Sequence, residues 1–285
     1  MSKIALGTVQ FGLDYGISNS SGQVSFEEVQ QILNLAKDNC IDTLDTACGY
    51  GDSEEVLGCA GVSDFKIVTK TAPLHLGVDR VLESFHQSLK YLNVTNVDGL
   101  LIHNIDDVED KQFDTLFKAL KGLQQDKLIN KIGFSTYTPN QVDFLLENFD
   151  FDLIQVPYNV FDTRLVDSGH LQSLKNKKIE THARSIFLQG LLLAPPDKRS
   201  KFFSKWSNLF KKWDIWLQSN NISGLEAALG FALSENLIDK IVIGVDSCAH
   251  LLEIISASKI CIQNIPRNLN TTDEVLLNPS IWDVK

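Results

Sequence analysis

Residues 66–103 read KIVTKTAPLHLGVDRVLESFHQSLKYLNVTNVDGLLIH, and the change of period inside them decides the fold. The flanks, Lys66 to Thr71 and Val97 to His103, are apolar runs of strand length that end on polar side chains. Between them Val78, Val81, Leu82, Phe85, Leu89 and Leu92 recur at steps that form one stripe of a 3.6-residue helix. A strand, an amphipathic helix and a second strand make a right-handed βαβ unit with parallel strands.

The same rhythm extends in both directions. Further strands are expected at Lys3 to Leu6, Cys40 to Asp45, Ile129 to Ser135, Asp152 to Val156, Ile179 to Ala183 and Lys240 to Gly244. Helices are expected from Phe26 (after Ser25, with a capping-box spacing to Glu28), Phe113 to Leu123, Pro139 to Asn148, Leu165 to Leu174, Leu225 to Ser234 and Ala249 to Ser256. Eight strands alternating with helices predict an α/β fold, a closed (β/α)8 TIM barrel. An open doubly wound sheet is the rival, but Gly7-Thr8-Val9-Gln10-Phe11-Gly12 after the first strand is not its G-x-G-x-x-G turn. No proline-rich or glycine-serine linker interrupts the pattern, so residues 1–285 are read as one domain.

Bulk properties exclude several classes. Hydrophobic residues at 44% and charged residues at 22% suit a folded chain with a sizeable core. No apolar run reaches the roughly 18 residues of a membrane span. The net charge of −10 argues against a general affinity for nucleic acid, which needs a basic face. With a strand expected at Lys3 to Leu6, no signal peptide is expected before it. The five cysteines (Cys40, Cys48, Cys59, Cys248, Cys261) are odd in number and lack metal-ligand spacing. They read as reduced thiols of a cytoplasmic protein, with no metal site expected.

In a parallel barrel, chemistry collects where strands end at their carboxyl side. Strand two ends at Asp45, followed by Thr46-Ala47-Cys48-Gly49-Tyr50; strand three ends at Lys70 and strand four at His103. A carboxylate, an ammonium, an imidazole and a phenol are thus expected on one rim. Each alone reads as a solvated rim charge, a structural histidine or a capping ring. Together they suit delivery of a proton to an oxygen that turns negative as hydride reaches carbon. An ammonium beside a phenol favours release of its proton, a carboxylate offsets burial of the ammonium, and the imidazole orients a carbonyl oxygen. No side chain supplies hydride, so a nicotinamide is implied.

At these positions the sequence resembles the aldo-keto reductase superfamily. Asp45-Thr46-Ala47-x-x-Tyr50 is similar to its Asp-Thr-Ala-x-x-Tyr signature, and Lys70 and His103 complete its tetrad. Ser88-Leu89-x-x-Leu92, Val97-Asp98, Gly133-Phe134-Ser135 and Gln155-x-x-Tyr158-Asn159 resemble further motifs in order. The resemblance implies Asp45, Tyr50, Lys70 and His103 as catalytic residues. It implies NADP(H) or NAD(H) as cofactor, with Ser135 and Gln155 on the carboxamide and Thr8 and Asp45 near the nicotinamide ribose. Arg184 and Ser185 stand where an aromatic-serine pair is usual, so Arg184 would stack on nicotinamide or meet an anionic substrate or the pyrophosphate. Gly244, Asp246, Ser247 and Glu253 would meet the phosphate and adenosine end. Thr136 replaces an asparagine, and His250 and Ile254 replace an arginine and an asparagine; Asp246 would repel a 2′-phosphate but accept a bond from a free ribose hydroxyl.

Lys198 to Lys212 is basic, and Phe203, Trp206, Phe210, Trp213 and Leu217 form a helical apolar stripe within and beyond it. It reads as an outer barrel helix with a solvated lysine face, or as a flap over the rim suited to a sugar or nucleotide-sugar with an anionic group. A membrane-surface helix is a third reading. Cys48 reads as a small buried filler. Three functions remain open: a carbonyl reductase acting on an aldehyde, ketone or keto-sugar; a redox-neutral sugar epimerase or isomerase with tightly bound cofactor; and a non-catalytic cofactor-sensing subunit.

Overall fold

The computed structural model describes residues 2–16, 22–260, 262 and 269–282; Cys261 and the tail after Arg267 up to residue 268 lie outside them. Eight parallel strands close into one barrel in sequence order: β1 Ile4–Gly7, β2 Thr43–Asp45, β3 Lys66–Lys70, β4 Val97–Ile102, β5 Ile129–Ser135, β6 Leu153–Pro157, β7 Glu180–Arg184 and β8 Lys240–Gly244. Pairing of Ile4 with Ile241 through Gly7 with Gly244 seals the ring. The closed (β/α)8 barrel expected from sequence is present, and the open sheet is not.

Side chains two apart along a strand share a face. Val68, Leu101 and Leu153 therefore meet inside the barrel as a small apolar layer, apart from the larger core between strands and outer helices. Below that layer the barrel is polar. Lys131 lies between Asp98 (2.8 Å) and Glu180 (2.7 Å), and His182, fully buried, meets Glu180 at 2.8 Å. Above it, the same inward lanes lead to Asp45, Lys70, Gln155 and Arg184 at the carboxyl rim.

The helix at Val78–Leu92 spans the predicted stripe, and Pro139–Asn148 carries the full capping box of Thr138 and Gln141. Several elements differ from the sequence reading, among them the short helices Val9–Gly12 and Glu274–Leu277, which it did not contain, and three others. Strand β2 starts at Thr43 rather than Cys40, because Cys40 takes a left-handed turn (φ 57°) after the preceding helix. The helix expected over Leu165 to Leu174 is two, Arg164–Asp167 and His170–Asn176, parted by Gly169 at φ 79°. A helix at Ser53–Ala60, unforeseen because its stripe is short, packs directly behind the Tyr50 loop.

The basic segment divides. Short 3-10 turns at Pro196–Lys198 and Lys201–Trp206 precede a helix at Ser207–Asn220. Phe203, Trp206, Phe210 and Trp213 build a second apolar cluster with Phe161, Leu188 and Leu192. Trp213 is fully buried and donates its indole N–H to the Leu192 carbonyl at 3.1 Å. Trp206 and Trp213 are therefore core, and the expectation of a tryptophan face for a sugar is corrected. What this segment sends to the rim is Lys198, Arg199, Ser200 and Phe203. Among the described residues, no helix is long and apolar enough to cross a membrane.

Candidate active site

The loop that carries Tyr50 is held by two glycines. A Cβ on Gly12, at the end of the short helix Val9–Gly12, would collide with the Tyr50 carbonyl and the Ser53 amide. Gly51, at φ 55°, sits against the Gly12 carbonyl in turn. Bare backbone on both sides lets the loop lie flat on the β1 end. Ser53 locks it further, its hydroxyl 2.8 Å from Thr8 Oγ1 and 2.9 Å from the Thr8 carbonyl.

Behind the loop stands a buried ion pair. Lys70 Nζ donates to Asp45 Oδ1 at 2.6 Å and to the Thr46 carbonyl at 2.8 Å. Burial alone would push the ammonium down, but the Asp45 charge and the Tyr50 oxygen outweigh it, and its pKa stands above the usual lysine value. The Nζ lies 4.9 Å from the centroid of the Tyr50 ring. His103 meets the same ring edge-on, with centroids 5.8 Å apart. Burial, then the Lys70 charge, lowers the His103 pKa to about 4, so the imidazole is neutral at physiological pH. The four residues expected to meet at the rim do meet, on the ends of β2, β3 and β4.

Gln155 donates its amide to Asp45 Oδ2 at 2.6 Å. The opposite amide orientation would set two oxygens against each other, so the side-chain oxygen of Gln155 is the end left for another donor. Thr8, wholly buried, gives its hydroxyl to the Asp45 carbonyl at 3.1 Å. Ser135, almost buried, pairs in register with Gln155. Glu54, missed in the sequence because its helix was missed, accepts from Thr69 at 2.6 Å beneath Lys70, and burial raises its pKa. Burial likewise pushes the half-buried Cys48 thiol up, which makes it a poor nucleophile.

From Tyr50 a cleft of about 830 Å³ runs across the ends of β1, β7 and β8. Thr8, Asp45, Tyr50, Gln155, Arg184, Ser185, Gly244, Asp246 and Glu253 line it, as does Lys198 of the basic segment; Tyr15, Gln10 and Gln189, which sequence motifs did not single out, line it too. His103, Lys70, Ser135 and Ser247 adjoin it without contributing to the lining. Arg184 lies with its guanidinium 4.1 Å over the Tyr137 ring and donates to the Thr136 carbonyl at 2.9 Å. At the far end Asp246 is paired with His250, and Ser247 caps the helix Cys248–Ala257 by accepting from the His250 amide. A second cleft, at the opposite end of the barrel, is lined by Lys3, Lys66, Lys175 and Lys240 and holds none of these groups. Asp42 neutralises Lys66 and Lys240 there, and Asp239 neutralises Lys175.

A closed parallel barrel with a phenol, a buried ammonium–carboxylate pair and a neutral imidazole at its carboxyl rim belongs to a definable class, and the comparisons say which. The Aldo/keto reductase family model matches residues 3–266, so the chain belongs to the aldo/keto reductase family. It is 29% identical over 206 residues to aldo-keto reductase YhdN of Bacillus subtilis (strain 168), covering 67% of this chain and 60% of that protein. Matched stretches span 56% to 64% of the curated relatives' own lengths. Among solved structures, an aldo-keto reductase from Bacillus halodurans in its holo form superposes with a TM-score of 0.75 at 18% identity, covering 92% of this chain and 88% of that one. A glycerol dehydrogenase from Gluconobacter oxydans gives a TM-score of 0.71 at 22% identity, with 92% and 88% covered. These last two likenesses are of fold.

Proposed function

We propose that the chain reduces the carbonyl of a small molecule to an alcohol, with Tyr50 as the proton donor. The observation that carries this reading is the wholly buried Lys70 ammonium, fixed by Asp45 and set against the Tyr50 phenol. A barrel that only bound a ligand would have no need to set a buried, charge-paired ammonium beside a phenol.

A nicotinamide dinucleotide fits the cleft. Two buried polar atoms on its lining residues lack partners, Gln10 Oε1 beside Gly244 and Arg199 Nε, and a third, Thr136 Oγ1, belongs to the residue whose carbonyl accepts from the lining Arg184. Buried polar groups are ordinarily satisfied, so orphans flanking an elongated cleft mark places where a ligand completes the bonding. Ser135 and the free Gln155 oxygen would hold the carboxamide. Thr8 and Asp45 would lie near the ribose, and Ser185, Gly244, Asp246, Ser247 and Glu253 would serve the phosphates and adenosine. Bound there in its reduced form, the cofactor supplies hydride to the carbonyl carbon.

The chain's own residues do the rest. Tyr50 gives its proton to the carbonyl oxygen as that oxygen gains charge, and Lys70 stabilises the phenolate left behind. Asp45 keeps Lys70 protonated and in place. Neutral His103 donates one ring N–H to the same oxygen and orients it. The helix Val9–Gly12 and the Tyr50 loop hold these groups rigid.

The test is oxidation of NADH or NADPH, followed optically, with a panel of aldehydes, ketones and keto-sugars. Net oxidation with at least one carbonyl compound supports the reading. Tightly bound cofactor that never turns over would favour an epimerase instead. The Asp246 carboxylate at the adenosine end, which would repel a 2′-phosphate and accept from a free ribose hydroxyl, favours NADH over NADPH, and a strong NADPH preference would overturn that part.

A further inference from the structure

We infer that Arg184 is an anion-recognition residue, and that the carbonyl compound this cleft takes carries an oxyanion, a carboxylate or a phosphate. The inference rests on the carbonyl-reductase reading of the same cleft and names its substrate class.

Arg184 stands apart from its peers in its partners. Among the described residues, Arg80 pairs with Glu83 at 2.7 Å, Arg164 with Asp162 at 2.8 Å and Arg199 with Asp214 at 2.6 Å. No described carboxylate forms an ion pair with Arg184. Of the carboxylates that line the cleft, Asp45 is engaged by Lys70 and Gln155 and Asp246 by His250, and Glu253 forms no ion pair with Arg184. A half-buried cation without a counterion is costly to keep, and an anionic ligand offsets that cost.

The cation is also held still. Its Nη2 donates to the Thr136 carbonyl at 2.9 Å and its Nη1 to Ser185 Oγ at 3.3 Å. The Tyr137 ring beneath it is itself pinned. The Tyr137 amide donates to Gln141 Oε1 at 2.8 Å, and its carbonyl accepts from Arg164 at 3.0 Å, with Arg164 clamped by the buried Asp162. A guanidinium has five N–H donors in a planar fork. Those not spent on Thr136 and Ser185 match the oxygens of a carboxylate or phosphate, and pre-orientation removes the entropy cost of arranging them.

Position completes the case. Arg184 ends β7 on the wall of the cleft that Tyr50 also lines. Its charge is felt by the groups around the reacting centre. Burial lowers His103 and raises Tyr15, and the Arg184 charge adds to the first effect and opposes the second. A substrate whose carbonyl reaches Tyr50 thus places its remainder in the field of one fixed, uncompensated cation. That group keeps its charge throughout, while the carbonyl gains one hydride and one proton.

The experiment compares matched carbonyl pairs that differ by one anionic group: glucuronate against glucose, and glyceraldehyde 3-phosphate against glyceraldehyde. For each, turnover and calorimetric binding to the cofactor-loaded protein are measured in the native chain and in Arg184→Met. The native protein should favour the charged member in at least one pair by about tenfold or more in kcat/KM and in binding. Arg184→Met should bring that ratio to about one, and Arg184→Lys should restore part of it. Preference in the first pair alone assigns a carboxylate, in the second alone a phosphate. Equal treatment of both members by the native protein overturns the proposal. So does a variant whose only loss is dinucleotide affinity, which would assign Arg184 to the cofactor's pyrophosphate. If no compound turns over but charged members still bind through Arg184, the reductase reading fails and the anion site stands.

Discussion

Tyr50, Lys70 and Asp45 are three residues whose roles depend on one another's distance. Tyr50→Phe keeps the ring against His103 and the cation over its face but removes the transferable proton. We expect turnover to fall by about 10²- to 10⁴-fold with reduced-cofactor binding retained. Undiminished activity in that variant would reject Tyr50 as the donor. His103 gives a second, independent readout. Its folded pKa of about 4 lies below the 6.5 of the unfolded chain, so between these values the unfolded chain binds a proton the folded one does not. Stability contributed by this site therefore rises with pH across that window. Proton NMR of the imidazole should show a midpoint near 4; one above 6 would mean that the ring is neither buried nor facing Lys70. Asp45, Lys70 and His103 were legible in sequence because each sits at a strand end, where the barrel pattern fixes direction, and Tyr50 because it follows Asp45 in one motif. Glu54, Tyr137 and Gln10 were not, since what defines them is a neighbour far along the chain.

Elements set how firmly those residues are held. The helix Val9–Gly12 and the turn at Gly51 interlock through backbone alone, so Gly12→Ala must push the Tyr50 loop off the rim. A displacement of about 1 Å at a reacting group costs on the order of 10²-fold. We expect kcat to drop on that scale while far-ultraviolet circular dichroism stays unchanged; native kinetics would show the loop adapts. At the other end of the barrel, the hydrogen bond from His182 and then the Lys131 bond and charge hold Glu180 down to about 2, from an ordinary 4.5. A depressed carboxylate stabilises the fold above its unfolded value and loses that contribution as pH falls toward the folded one. Glu180→Gln should lower Tm at pH 7 and flatten its decline between about pH 4.5 and 2, as read by thermal melts across that range. Helix periods were read correctly along the stripes of Val78–Leu92 and Phe113–Gln125, while the stripe from Phe203 to Leu217 begins in a 3-10 turn and becomes α-helical only at Ser207. They failed at Gly169, where a glycine free to take positive φ splits a continuous stripe in two.

At the scale of the molecule, the chain supports two large apolar bodies besides the small layer of Val68, Leu101 and Leu153 inside the barrel. One is the core between strands and helices; the other lies under the connection after β7 and is centred on Trp213. The second body holds up one wall of the cleft, because Phe203 belongs to both. Trp213→Ala should cost about 3–5 kcal/mol by denaturant titration. It should also weaken dinucleotide binding, although Trp213 lines no part of the cleft. A loss of stability with cofactor affinity intact would separate the two bodies.

The sequence by itself determined the closed barrel, the strand order and the family of the chain. Alternating periods and strand-end polar residues are local properties, and closure of eight βαβ units leaves them one rim on which to meet. Only the tertiary structure decided which partners each residue has. It gave the Gln155 amide to Asp45, the tryptophans of the basic segment to a core, and Arg184 to Tyr137 and Thr136 with no carboxylate of its own. The reason is physical: a strand's pattern fixes which way a side chain points, but charge balance and hydrogen-bond satisfaction depend on atoms brought together from distant parts of the chain.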